Sequence, residues 1–374
     1  MAIFREIPNA SDPEVVSGDD RTDVGDVSQG RLMYRRFKQS KLAVAGAFVL
    51  IVMYLLAIFA PFLSPNSPTT VYDDWKNAPP SQLTWDGGLA MCDTRQVLNE
   101  QDFKWETVTD CDNAKPLEWF SKGPEYKMLW LFETDIHLVT APEGQRLFFW
   151  GADEQGRDVF TRTLYGGQVS LTIGLLGVGI ATILATLIGT ISGYFAGWVD
   201  NVIQRVIEVV TSIPTLPLWA TLAALLPNDM PVEWRFFYIS LILSLVAWAG
   251  LARQVRGKVM GFAGTDYVHA ARAAGGGHFR IIVTHMVPNG LSHVIAATML
   301  AIPGAIIAET SLSFLGIGMV EPAVSWGVLL EGAQRINVIT TYPWMLIPAI
   351  PVILAVTAYQ LLGDGVRDAV DPYG

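Results

Sequence analysis

Residues 265–289 read T-D-Y-V-H-A-A-R-A-A-G-G-G-H-F-R-I-I-V-T-H-M-V-P-N. They form a polar island in a chain that is 51% hydrophobic and 16% charged. The spacing predicts two short helices joined by a glycine hinge. Thr265 or Asp266 can cap the first, because a short side-chain oxygen there satisfies an otherwise orphaned backbone N–H. Tyr267, Ala270, Ala271 and Ala274 fall at i, i+3, i+4 and i+7 and make one apolar face. Gly275, Gly276 and Gly277 end that helix, since glycine enters the left-handed cap conformation cheaply. Phe279, Ile282, Val283 and Met286 repeat the spacing on a second helix, and Pro288 follows as the apolar sequence resumes.

Soluble domains carry about 25% charged residues. A chain of 374 residues with 16% charged and a positive mean hydropathy reads instead as a membrane protein with a polar insertion. The formal net charge of −10 is unevenly placed: residues 64–165 hold 17 acidic and nine basic side chains, counting Arg162. Nucleic acid binding requires a basic face, so that class is excluded.

Upstream of the island, residues 42–63 are uncharged over 22 residues, enough to cross a hydrocarbon core that needs about 20. Arg31, Arg35, Arg36, Lys38 and Lys41 precede them, and such a basic flank stays cytoplasmic. The run is too long for a signal peptide and closes without a small-residue cleavage site, so it reads as a retained first span. Residues 1–30, rich in Asp, Gly, Ser and Val without periodicity, read as a solvated tail. A second span lies within the uncharged residues 169–199, where Gly189, Gly193 and Gly197 form a small-residue face for close helix approach. A third, over 202–226, is interrupted by Pro214 and Pro217; such a kink either lines a pathway or packs against neighbours. A fourth over 236–252 ends at the cationic Arg253, Arg256 and Lys258. The fifth, over 290–308, is closed by Glu309, an acid at membrane depth that is either functional or an interfacial hydrogen-bonded carboxylate near the outer surface. The sixth covers 343–362. The expectation is an all-α polytopic protein with six transmembrane helices and both termini cytoplasmic.

Residues 64–167 then form an insertion on the outside. They contain Trp75, Trp85, Trp105, Trp119, Trp130 and Trp150. A segment of that size and aromatic content either buries a small core of its own or caps other subunits; short strands and loops are expected.

The motifs carry a resemblance. In residues 265–289, His269-Ala270-Ala271, Gly275, His285 and Val287-Pro288 resemble the cytoplasmic coupling loop of bacterial ABC importer membrane subunits. Gly151-Ala152-Asp153-Glu154-Gln155-Gly156-Arg157-Asp158, Glu309-Thr310-Ser311-Leu312-Ser313-Phe314-Leu315-Gly316 and residues 361–372 resemble the oligopeptide/dipeptide permeases of the C type. One departure is His269, where the family has Glu. The resemblance implies a type I importer fold over residues 168–363, with the coupling loop at 253–289 and a cytoplasmic end at 364–374. It assigns ATPase coupling to Tyr267, His269, Ala270, Ala271, Arg272, Ala274 and Gly275. It implies a bacterial inner-membrane location and, as partners, a homologous second permease in a heterodimer, two ATPase subunits that bind ATP and Mg, a periplasmic solute-binding protein and the lipid bilayer. Family members have a shorter first exterior segment, so the insertion is enlarged. Cys92 and Cys111 both lie in it, and an isolated pair in an oxidising compartment is a disulfide candidate or else two unrelated thiols.

The chain lacks a G-x-x-x-x-G-K-[ST] phosphate loop and a nucleophile–base signature of a hydrolase. His269, His278 and His285 straddle the glycine hinge without metal-site spacing; Asp153, Glu154 and Asp158 read as turn carboxylates or a divalent site. No metal or cofactor is expected in this chain, and no catalysis. The function implied is a permease subunit for peptides, or for nickel, opines or oligosaccharides as in relatives. The competing class is a non-transporting membrane scaffold with an exterior partner-binding domain.

Overall fold

The computed structural model describes residues 29–85, 87–99, 104–128, 132–227 and 229–370. Residues 1–28 of the expected tail, Trp130, Asp371 and Pro372 lie outside them. Among the described residues, five helices are long and apolar enough to cross a membrane, and a pair bent by 80° makes a sixth.

Helix α1 (Gln29–Gln39) is the basic flank, and Ser40 caps α2 (Lys41–Ile58) by accepting from the Ala43 N–H. A break at Phe59 and Pro61 gives the short α3 (Ala60–Leu63). The β unit follows. Strands β1 (Leu83–Trp85), β2 (Leu89–Asn99) and β3 (Lys104–Pro116) form an antiparallel three-stranded sheet, and β4 (Glu118–Met128) pairs with β5 (Phe132–Thr140). Then come α4 (Val159–Phe195), α5 (Gly197–Ser212), α6 (Thr215–Ala224) and α7 (Val232–Ala263). The coupling segment holds α8 (Asp266–Ala273) and α9 (His278–Ile281), which continues through a π turn (Ile282–Met286) into α10 (Val287–Phe314). α11 (Trp326–Glu331), α12 (Ile336–Thr341) and α13 (Ala349–Val370) complete the chain.

The helices α7 and α13 outrun their apolar sequence, carrying Arg253, Arg256 and Lys258 and Asp364, Arg367 and Asp368 toward their C-terminal ends, whereas α2 ends at Ile58, short of its apolar run. The second helix starts at Val159, capped by Asp158, and no separate surface helix precedes it. The expected second half of the coupling pair is likewise not a free helix: residues 278–314 run on as the fifth span. Pro288 lies just after the π turn Ile282–Met286, at the point where the helical hydrogen-bond pattern changes into α10. In the third span the break falls at Ile213-Pro214. Pro217 lies in the first turn of α6 and causes no second kink.

The strands β2 to β5 are nine to thirteen residues long, not short. The core of this unit is also not built on tryptophan as its composition suggests. Met91, Leu117, Val139 and Leu147 pack together, and Trp75 joins Phe148 and Ala152, whereas Trp85 is 78% exposed. Cys92 and Cys111 are bridged. The unit is tied to the helices by Asn66, whose Nδ2 donates to Leu147 O and Asp158, and by the His137 Nδ1 contact to Ser64 O at 2.6 Å.

Two glycine contacts set the helix packing. A Cβ on Gly46 of α2 would lie 2.7 Å from Ala358 O on α13. On α4, Gly189 and Gly193 meet α7 equally closely, while Gly197 takes a positive φ of 56° at the turn into α5 and has no close neighbour. The glycine stripe thus serves two purposes.

Candidate functional site

Two ends of the helix bundle carry polar machinery. At one, α7 leads through Thr265 into α8. Thr265 occupies the N-cap position of that helix, but its hydroxyl donates to Phe262 O and makes no cap hydrogen bond, while Asp266 lies in the first turn. Val268 and Ile281 are buried with Val255, Val259 and Met286 in one core. Ala271 packs partly against it. The apolar face expected at Tyr267, Ala270, Ala271 and Ala274 is therefore divided: Val268 and Ala271 point inward, while Tyr267, His269, Ala270, Arg272, Ala274 and Gly275 are exposed. Gly275 takes φ +80°, the left-handed turn that stops the helix. A Cβ on Gly276 would sit 2.8 Å from Ala271 O, so the second glycine permits close return of the chain.

Aromatic contacts hold this elbow on the spans. The Tyr194 hydroxyl at the end of α4 is 2.8 Å from His278 Nδ1, and the Arg272 guanidinium lies 5.0 Å from the Tyr194 ring centre. Asn289 Nδ2 on α10 donates to Tyr267 Oη at 3.2 Å. His285 packs by Tyr267. Among the described residues, no three His, Cys, Asp or Glu side chains gather as metal ligands, and His269, His278 and His285 do not converge. Close by, the buried Asp200 accepts two hydrogen bonds from Arg256 and one from Ser192, tying α5 to α7.

This elbow, hung between spans and exposing small side chains, lies in a segment that known proteins share. Residues 185–373 match the family described as binding-protein-dependent transport system inner membrane component. The chain belongs to this family. Residues 28–80 of this permease also match the N-terminal TM domain of oligopeptide transport permease C. It is 31% identical over 340 residues to the dipeptide transport system permease protein DppC of Bacillus subtilis, covering 91% of this chain and 84% of that one. It is 37% identical over 243 residues to the oligopeptide transport system permease protein OppC of Haemophilus influenzae, 64% of this chain and 75% of that one. To the oligopeptide transport system permease protein OppC of Salmonella typhimurium it is 33% identical, covering 67% and 81%.

At the opposite end of the permease, Asp153 accepts from the Gln155 and Arg157 N–H groups, from Arg157 Nε at 2.8 Å and from Arg162 Nη1 at 3.1 Å. Both arginines also reach Glu321, at 2.8 and 2.6 Å. Burial pushes the Asp153 carboxyl up, against the pull of Arg157. Asp158 accepts from the Phe160 N–H, Thr161 Oγ1 and Asn66 Nδ2. Both carboxylates are thus engaged within the turn. Glu309 is fully buried in α10 and accepts from Ser170 and Ser313; it does not face an interface with water. Pro214 and Pro217 are exposed on the broken third span, whereas Glu309 is buried.

The Arg162–Glu321 pair and the buried Arg235, which donates to Gly318 O at 2.8 Å, were not foreseen in the sequence. The first joins residues 159 positions apart, beyond the reach of any local pattern. Trp326 is also inserted between helices, donating from Nε1 to Thr163 O, so the loop after α10 is partly built into the bundle.

Proposed function

We propose that the chain is one of two permease subunits of an ATP-driven importer for di- or oligopeptides. The observation that carries this reading is α8: a short helix anchored by Val268, stopped at Gly275 and linked by Tyr267 and Arg272 to two different spans. Of the two ATPase subunits of the complex, which bind ATP and Mg, one docks on its exposed face. A homologous second permease completes the pore, and a solute-binding protein delivers cargo at the β-unit end. The protein resides in the bacterial inner membrane with both termini cytoplasmic, and catalyses nothing itself.

In this mechanism ATP-driven closure of the ATPases pushes α8. A helix transmits the push as a lever, where a loop would absorb it. Arg272 passes it to Tyr194 at the end of α4, and Tyr267 passes it to Asn289 on α10. The names of the relatives favour peptides over nickel, opines or oligosaccharides. A scaffold would have no use for an anchored lever with small exposed side chains. The test is uptake of a labelled dipeptide by the co-purified complex in proteoliposomes. ATP-dependent accumulation is expected; a complex that retains no ATPase, or accumulates nickel or a sugar but no peptide, overturns the reading.

A further inference from the structure

A cavity of about 250 Å³ opens between the turn at residues 151–158, the Glu321 loop, α11 and the start of α12. Part of its wall is the ring formed by Asp153, Arg157, Arg162 and Glu321, whose two carboxylates and two guanidinium groups neutralise one another. The other charges on the cavity are Glu154, Glu331 and Arg335. Among the described residues neither of these two glutamates has a side-chain partner. The cavity therefore carries one excess negative charge. Partial burial and the Glu321 charge push the Glu331 carboxyl up. The floor is apolar, formed by Val159, Leu329, Met345 and Pro348.

A ligand that fits these walls has an ammonium group and an apolar substituent. We propose that the cavity receives the amino-terminal end of a peptide, with its ammonium on Glu331 and Glu154 and its first side chain on the floor. This rests on the peptide reading above and adds a contact in the permease itself, separate from that of a solute-binding protein. A basic side chain of that protein would satisfy the ammonium chemistry too, and the experiment distinguishes the two.

The test is calorimetric titration of the assembled importer in nanodiscs, without solute-binding protein, with leucyl-leucine and with N-acetyl-leucyl-leucine. Leucyl-leucine is expected to bind. Acetylation, Glu331→Gln and Glu154→Gln are each expected to weaken it roughly tenfold, the order for losing a charge-assisted hydrogen bond. Glu331 is exposed and outside the buried ring, so its variant should fold. Equal affinity for both peptides, or no binding of either, overturns the proposal. So does a Glu331→Gln variant that loses solute-binding-protein docking while its peptide affinity is unchanged. If the complete importer still takes up labelled dipeptide in those cases, the cavity assignment alone falls; if it takes up none, the peptide reading falls as well.

Discussion

The contact between α4 and α7 gives a quantitative test of the fold. A Cβ on Gly189 would lie 2.5 Å from Ala252 O and 2.9 Å from Val255 Cβ. Ordinary contact is near 3.5 Å, so Gly189→Ala must push the helices apart by about 1 Å. Ala252 and Val255 are both buried and cannot swing away. Overpacking of this kind costs about 1–3 kcal/mol. The substitution also gains about 1 kcal/mol of helix propensity. Gly250→Ala on α7 makes the same gain with nothing within 4 Å of the new methyl. The difference between the two variants therefore isolates the steric cost, and Gly189→Ala should be the less stable by about 1–3 kcal/mol. Unfolding of the purified permease in graded denaturing detergent measures it. Equal stability of the two variants would refute the close approach of α4 and α7.

Cys92 and Cys111, bridged across 19 residues of sequence, should resist thiol labelling in unreduced, denatured protein. The bridge should stabilise the β unit by about 3 kcal/mol on the chain-entropy account; two free thiols would end that reading. A cysteine at Asn113 should react with a membrane-impermeant reagent in intact spheroplasts, and one at Gly276 only after permeabilisation. The reverse pattern would invert the orientation. Burial pushes the Asp158 carboxyl up to about 6. A carboxyl raised above its ordinary value of about 3.9 holds its proton more tightly when folded, so its contribution is present below pH ~4 and is lost as pH rises through 6. Asp158→Asn should remove that fall in stability, roughly 3 kcal/mol in all; an unchanged pH slope would count against it.

The spans were legible because uncharged runs of about 20 residues have few other uses. Their ends were not, since Arg253, Arg256 and Lys258 continue the helix of α7 into water without any break in propensity. The hinge at Gly275 was readable from three consecutive glycines. Which face α8 turns inward was not, because Ala270 and Ala271 are chemically identical and only the position of Val268 against Val255 and Ile281 decides between them. The ring at the other end joins Arg157 and Arg162 to Glu321 across more than 150 residues of sequence. No local pattern announces a contact of that range. In the β unit the tryptophans misled, because amphipathic rings tolerate exposure that Met91 and Leu147 do not.

The central claim is that the exposed face of α8 is where one ATPase subunit docks. Ala270 is the residue to use, since it is exposed and Ala271 is not, so Ala270→Trp overfills a partner's groove and disturbs nothing within the permease. The measurement is recovery of the ATPase subunits on the tagged permease variant, read beside its pairing with the sister permease. Membrane insertion and pairing should be unchanged, while an overpacking cost of about 1–3 kcal/mol weakens ATPase docking roughly fivefold to hundredfold. Full recovery of the ATPases with Ala270→Trp would contradict the coupling role of α8.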